Sequence, residues 1–204
     1  MKTILLTGFT PFGGESMNPS YECLKNIEDN ILGYRIIKKE IETSFLNSHQ
    51  QLLSYLDQYK PDAVILVGQA GGAKAIRIER IAINIQDASI EDNLGNMPID
   101  HPIIESAPTA YFSSLPIRKI VDNLMDAGIP TVLSYCAGTF VCNHLLFNLL
   151  HYISQKEIHI PVGFIHVPYV FSQVTDKPDM YATDLDSLTK AIQIIIKTVI
   201  KESL

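Results

Sequence analysis

Cys142, His166 and Glu79 are the residues of this chain whose types and surroundings suit chemistry. Cys142 lies in the run Ser134-Tyr135-Cys136-Ala137-Gly138-Thr139-Phe140-Val141-Cys142-Asn143-His144, which reads as a strand end, a small-residue turn and a helix start carrying a thiol. Unpaired backbone N–H groups and the positive end of the helix dipole favour thiolate over thiol there, so the expectation is a cysteine ionised near neutral pH. His166 lies in Gly163-Phe164-Ile165-His166-Val167-Pro168-Tyr169. Pro168 cannot join a central ladder, so the strand ends there and His166 falls at its carboxyl end, on the ligand side. Glu79 belongs to Ile76-Arg77-Ile78-Glu79-Arg80-Ile81-Ala82-Ile83-Asn84-Ile85, where the apolar positions are even before it and odd after it. That change of phase requires a bulge or turn near Glu79-Arg80, which re-aims the carboxylate.

Taken singly, each has a plainer explanation: a small buried hydrophobe, a satisfied structural imidazole, and a surface ion pair with Arg77 or Arg80. Together they are the parts for covalent acyl transfer, namely a thiol nucleophile, an imidazole acid and base, and a carboxylate that holds the imidazole's tautomer. A metal site is the weaker reading. His144, His151 and His166 with Cys142 lack paired-ligand spacing, and His144 and His151 are two helical turns apart. Two glycine-containing loops follow strands, Gly8-Phe9-Thr10-Pro11-Phe12-Gly13-Gly14 and Gly68-Gln69-Ala70-Gly71-Gly72. Neither matches a phosphate-binding pattern. Phe9 and Phe12, large aromatics in a loop, either plug the sheet's edge or wall a ligand pocket.

Positioning these groups requires an open sheet. Apolar runs are expected as strands over 3–7, 35–41, 63–67, 81–85, 130–135 and 162–167, alternating with helices over 19–28, 44–59, 116–126, 140–154 and 185–201. Near-continuous apolar strands such as Ala63-Val64-Ile65-Leu66-Val67 need cover on both faces. The expectation is therefore a single α/β domain over 1–204, a three-layer sandwich whose mostly parallel central sheet carries helices on both faces. Chemistry is then sought in the loops after Leu6, Val67, Leu133 and Ile165, beyond the carboxyl ends of the strands. The last helix, with Ile192, Ile194, Ile195, Ile196 and Val199, calls for deep burial or a subunit contact. Sixteen basic against 22 acidic residues give a net charge of −6, and the basic residues are scattered, which argues against nucleic acid as a partner. No run is long enough for a signal peptide or a membrane span, and three cysteines without metal spacing suit a reducing compartment, so the chain reads as cytoplasmic.

With these motifs in view the chain resembles the pyroglutamyl peptidase type I (pyrrolidone-carboxyl peptidase) family of cysteine peptidases. The resemblance runs over nearly the whole length, through Leu6-Thr7-Gly8-Phe9-Thr10-Pro11-Phe12-Gly13-Gly14 with Asn18-Pro19, Gly68-Gln69-Ala70-Gly71-Gly72, Glu79-Arg80-Ile81-Ala82-Ile83-Asn84, Pro98-Ile99-Asp100, Tyr111-Phe112-Ser113-Ser114-Leu115-Pro116, Ala137-Gly138-Thr139-Phe140-Val141-Cys142-Asn143 and Gly163-Phe164-Ile165-His166-Val167-Pro168. It implies Cys142 as nucleophile, His166 as general acid and base, and Glu79 as the group orienting it. It also implies a pyroglutamyl-ring pocket of Phe9, Phe12, Asn18 and Gln69, peptide substrates beginning with 5-oxoproline, a homo-oligomer (tetramer or dimer), no cofactor and no metal. The chain departs from the family pattern at Ala73 and Ser89, where arginine commonly stands, at Glu91, where proline does, and at Cys136, where serine does. Arg77 and Arg80 are the candidate replacements for a missing cation. The other readings are a weakly active or non-catalytic pyroglutamyl-binding relative and a different Cys-His-Glu amidase.

Overall fold

The computed structural model describes residues 2–204. Three strands are buried along almost their whole length, β1 (Thr3–Phe9), β4 (Ala63–Gln69) and β9 (Val162–Val167), and they form the middle of a seven-stranded sheet. Their apolar runs leave no polar face, so only helices on both sides can cover them. Around them the order is β2-β3-β1-β4-β9-β5-β8, with β2 (Asn30–Ile31), β3 (Tyr34–Ile41), β5 (Ile76–Glu79) and β8 (Thr131–Ser134). On one face lie α1 (Pro19–Lys25), α3 (Ile117–Asp126) and α5 (Leu185–Ser203), packed on Ile4, Leu6, Ile65, Val67 and Ile165. On the other lie α2 (Asn47–Tyr59) and α4 (Val141–Gln155), packed on Leu5, Val64, Leu66 and Phe164. This is the three-layer α/β sandwich expected from the pattern. The apolar stripe of α5 is covered in the chain itself, since Ile192, Ile195, Ile196 and Val199 are all buried. Among the described residues no helix is long and apolar enough to cross a membrane.

Two departures from expectation bear on the site. Strands β3, β1, β4 and β9 are parallel, but β5 enters the sheet antiparallel to β9, and β8 runs with β5. The carboxyl end of β8 therefore does not share an edge with those of β1, β4 and β9, and the loop after Leu133 is not one of a common cluster. Segment 135–140 instead carries the chain back to the start of α4. The second departure is at 81–85. The phase break is a change of sheet: β5 pairs in the central sheet, and after Arg80 the chain continues as β6 (Ile81–Ile83), which pairs with β7 (Ala110–Phe112) in a separate ribbon. Arg80 is the hinge, its N–H donating to the Ser134 carbonyl at 2.8 Å and its carbonyl accepting from Ser113 N–H at 2.9 Å.

Candidate active site

One cross-strand row organises the site. Gly68 of β4 pairs with His166 of β9, His166 with Arg77 of β5, and Arg77 with Val132 of β8. Directly paired residues point to the same side, so all four look toward the α4 face. Glu79, two positions along β5, shares that face. Its Oε1 lies 2.8 Å from His166 Nδ1 and 3.5 Å from Arg77 Nε. The Glu79 side chain has no solvent exposure and His166 is 6 % exposed, a burial that a carboxylate tolerates only beside such partners. An acceptor at Nδ1 makes that nitrogen the donor and leaves Nε2 as the basic nitrogen. The second oxygen, Oε2, is buried without a hydrogen-bond partner among the described residues. Arg77, not Arg80, is the cation at this carboxylate, because the Arg80 guanidinium lies over the Phe112 ring at 6.0 Å.

Cys142 is the second residue of α4 and is half-buried. Two features place it. Asn143 behind it is fully buried, and its carboxamide accepts from Ile83 N–H at 3.0 Å and donates to the Ile83 and Ile85 carbonyls at 2.9 and 3.0 Å. The start of α4 is thereby stapled to the strand that follows Glu79. In front, Gly68 has no side chain to keep the sulfur off the sheet: a Cβ built there would meet Cys142 Sγ at 2.9 Å and the Phe164 ring at 2.6 Å. The thiol thus rests over the backbone neighbour of His166. The N-cap of α4, Phe140, offers no capping side chain, so the first-turn N–H groups are left for another acceptor.

The electrostatics correct one expectation. Burial, and next the negative charge of Glu79, push the Cys142 thiol up to about 12, against which its backbone hydrogen bond pulls only weakly. Both influences favour the thiol over the standing thiolate expected from a helix start.

Of the ring-pocket residues, Phe9 is buried in the core, its ring 6.2 Å from that of Phe164, which in turn lies 4.7 Å from the His166 ring. Phe12 is half-buried and packs on Phe140 at 5.9 Å, two residues before the cysteine. Asn18 is occupied locally, accepting from Ser20 N–H at the start of α1 and donating to the Thr10 carbonyl, which pins the first loop. Gln69 follows Gly68, and its Oε1 accepts from Gln173 Nε2 at 2.8 Å. Gln173 is buried and its own oxygen accepts from Val170 N–H at 3.2 Å, which fixes which end of each amide is nitrogen. The amide N–H₂ of Gln69 has no hydrogen-bond partner among the described residues. Sequence reasoning missed Asn143, Phe140 and Gln173 as parts of the site. Asn143 and Phe140 flank the cysteine, but Gln173 carries no local signal. His144 and His151 are engaged elsewhere, with Gln86 and Tyr111, and among the described residues no group of three or more potential ligands could hold a metal.

Residues 2–202 match the pyroglutamyl peptidase family. Pyrrolidone-carboxylate peptidase 1 of Caldanaerobacter subterraneus subsp. tengcongensis is 48 % identical over 97 % of this chain and 98 % of its own length. The pyrrolidone-carboxylate peptidase of Bacillus cereus is 45 % identical, with 97 % and 92 % covered. Among solved structures, pyroglutamyl peptidase I from Bacillus amyloliquefaciens superposes with a TM-score of 0.94 at 43 % identity, covering 97 % of this chain and 94 % of that one. A mutant pyrrolidone carboxyl peptidase from Pyrococcus furiosus gives 0.95 at 38 % identity, covering 99 % and 100 %.

Proposed function

The chain belongs to the pyroglutamyl peptidase family of cysteine peptidases, which remove N-terminal pyroglutamate (5-oxoproline) from peptides, and on that footing we propose that Cys142, His166 and Glu79 carry its reaction. The observation that carries the assignment is the 2.8 Å contact of Glu79 with His166 Nδ1, beside a Gly68 on which the Cys142 sulfur rests. Since burial and the Glu79 charge favour the protonated sulfur, the nucleophile is made as it reacts. His166 Nε2 takes the thiol proton while Sγ bonds to the carbonyl carbon that joins 5-oxoproline to the next residue. Charge develops on the carbonyl oxygen, and the uncapped first-turn N–H groups of α4 are the proposed donors to it. The C–N bond then breaks, His166 hands its proton to the departing amine, and the pyroglutamyl group stays on sulfur as a thioester. Water, deprotonated by His166, attacks that thioester and releases pyroglutamate and the free thiol. Glu79 keeps Nδ1 protonated throughout and balances the imidazolium.

The lactam ring is proposed to lie against Phe12 and Phe140, backed by Phe9 and Phe164, with Asn18 holding the loop and the free N–H₂ of Gln69 donating to the ring carbonyl. A neutral lactam enters such a wall without penalty, whereas a charged N-terminal amine is desolvated with no counter-charge. Glu15, which reaches Gln173, is already paired with Lys177 at 2.5 Å. The deciding test is release of a chromophore from a pyroglutamyl amide by the wild type and by Cys142→Ser. Loss of turnover by more than about 10³-fold is expected in the variant, and ordinary turnover there would falsify the assignment.

The 204 residues are taken to act as one α/β domain. The three free cysteines suit the reducing cytoplasm. The exposed Ile90, Leu94, Met97 and Ile99 of a single loop support a homo-oligomer, to be read by sedimentation of the wild type against Ile99→Asp.

A further inference from the structure

The row Gly68–His166–Arg77–Val132 does not stop at the catalytic histidine. Adjacent strands are roughly 4.8 Å apart, so Arg77 and Val132 lie roughly 5 and 10 Å beyond His166 on the same face. Helix α4 covers the first half of the row, but past His166 the sheet opens: the Arg77 side chain is 38 % exposed and Val132 is 47 % exposed. A cavity of about 490 Å³ occupies this corner, lined by Ala73, Lys74, Arg77, Val132, Tyr135 and Cys136 among others. Tyr135 presents an exposed ring beside it. Among the described residues no acidic side chain lines the cavity. Lys74 at its rim is exposed and has no hydrogen bond or ion pair among the described residues. Arg77 is anchored by Ser134 Oγ at 2.9 Å and the Cys136 carbonyl at 3.2 Å, and its Nε lies 3.5 Å from the Glu79 carboxylate that orders His166.

We propose that this open corner is the subsite for the leaving peptide, the residues following the scissile bond, and that it selects for acidic side chains or a nearby C-terminal carboxylate. The inference rests on Cys142 and His166 being the reacting pair. An extended chain advances roughly 3.3 Å per residue, so a peptide cleaved over His166 brings its second and third leaving residues over Arg77 and Val132. Val132 and the Tyr135 ring give such a chain apolar contact, while Lys74 gives it a positive charge unpaired among the described residues, beside an Arg77 whose charge is shared with Glu79. A lysine- or arginine-rich leaving peptide meets like charge at the same place.

The test compares pyroglutamyl peptides carrying two aspartates or two lysines at the second and third leaving positions, with a short chromogenic pyroglutamyl amide as reference. The wild type is expected to favour the acidic peptide by roughly three- to tenfold in kcat/KM, the ratio shrinking toward one in about 0.5 M salt. Lys74→Glu and Val132→Asp are each expected to erase or reverse the preference while leaving the short amide within about twofold of wild type. A ratio that is flat in the wild type or unmoved by both substitutions overturns the subsite. So does loss of a dimer on Val132→Asp with no change in peptide preference, which would give the corner to a second copy of the chain. No turnover of the short amide by the wild type would instead remove the reading on which the subsite rests.

Discussion

The carboxylate of Glu79 pulls the two ends of the site in opposite directions, ordering His166 through a 2.8 Å contact while its charge helps hold the proton on Cys142. Glu79→Gln is therefore expected to split two readouts that usually move together. Loss of the negative charge lowers the thiol's affinity for its proton, so alkylation by iodoacetamide near pH 9 rises several-fold. Turnover of a pyroglutamyl amide falls by on the order of 10²–10⁴, because the histidine loses its oriented tautomer. A parallel fall in both rates would show that Glu79 only supports the fold. Gln173 is a positioning residue of another kind. Gln173→Glu keeps the acceptor for Val170 N–H but removes the donor to Gln69, and one such bond is worth about 0.5–1.5 kcal/mol. The expected result is a roughly three- to tenfold rise in KM for pyroglutamyl substrates with kcat little changed. The three residues proposed to carry the reaction stood out because each has a local sign: a helix start, a proline stop, a phase break. Gln173 was not, since the partners that give it meaning stand 104 residues away at Gln69 and over 150 away at Glu15 and Met17. The upward pull on the Cys142 thiol was not visible for the same reason, as a helix start is local whereas burial and the Glu79 charge come from elsewhere in the chain.

At the level of elements, the site depends on α4 meeting the sheet at one register, and Asn143 sets it. Asn143→Ala leaves the Ile83 N–H and O and the Ile85 O without their side-chain partner in a buried place, at a cost of about 2–4 kcal/mol. A lower urea midpoint is expected, with a loss in kcat of tenfold or more measured well below that midpoint. A change in stability alone would assign Asn143 to the fold and not to the placement of Cys142. The strands β1, β4 and β9 and the helix α5 were readable directly, because a continuous apolar run and an apolar helix circumference each demand burial. The run 76–85 announced an interruption but not its nature: the atoms that receive Arg80, at Ser134 and Ser113, are remote in sequence. The reversed direction of β5 and β8 escaped detection too. Alternating strands and helices suggest parallel neighbours, and nothing in four residues of β5 records which way they enter.

Over the whole molecule, the titrating groups bound a window of stability. Burial, with the charge of His49 next, lowers His144 from 6.5 to about 4, and burial lowers His49 as well. The unfolded chain therefore takes up these protons before the folded one does, and stability is lost as pH falls from about 6.5 toward about 4. At the other end, burial raises the thiols of Cys23 and Cys142 from 9.0 to about 12, so stability is lost as pH rises from about 9 toward 12. Urea midpoints at fixed temperature are expected to be flat between these limits. Cys23→Ala is expected to soften the alkaline limb, and His144→Asn the acid one. An unchanged acid limb in His144→Asn would take that residue out of the account. The crowding around Gly68 has a consequence for how such a chain can drift over generations. The first atom of any new side chain at 68 collides with both the Phe164 ring and the Cys142 sulfur. Trimming Phe164 to make room would withdraw the ring that lies tilted 4.7 Å from that of His166. Even that trim would relieve only one of the two collisions, so glycine at 68 is held in place from two sides at once.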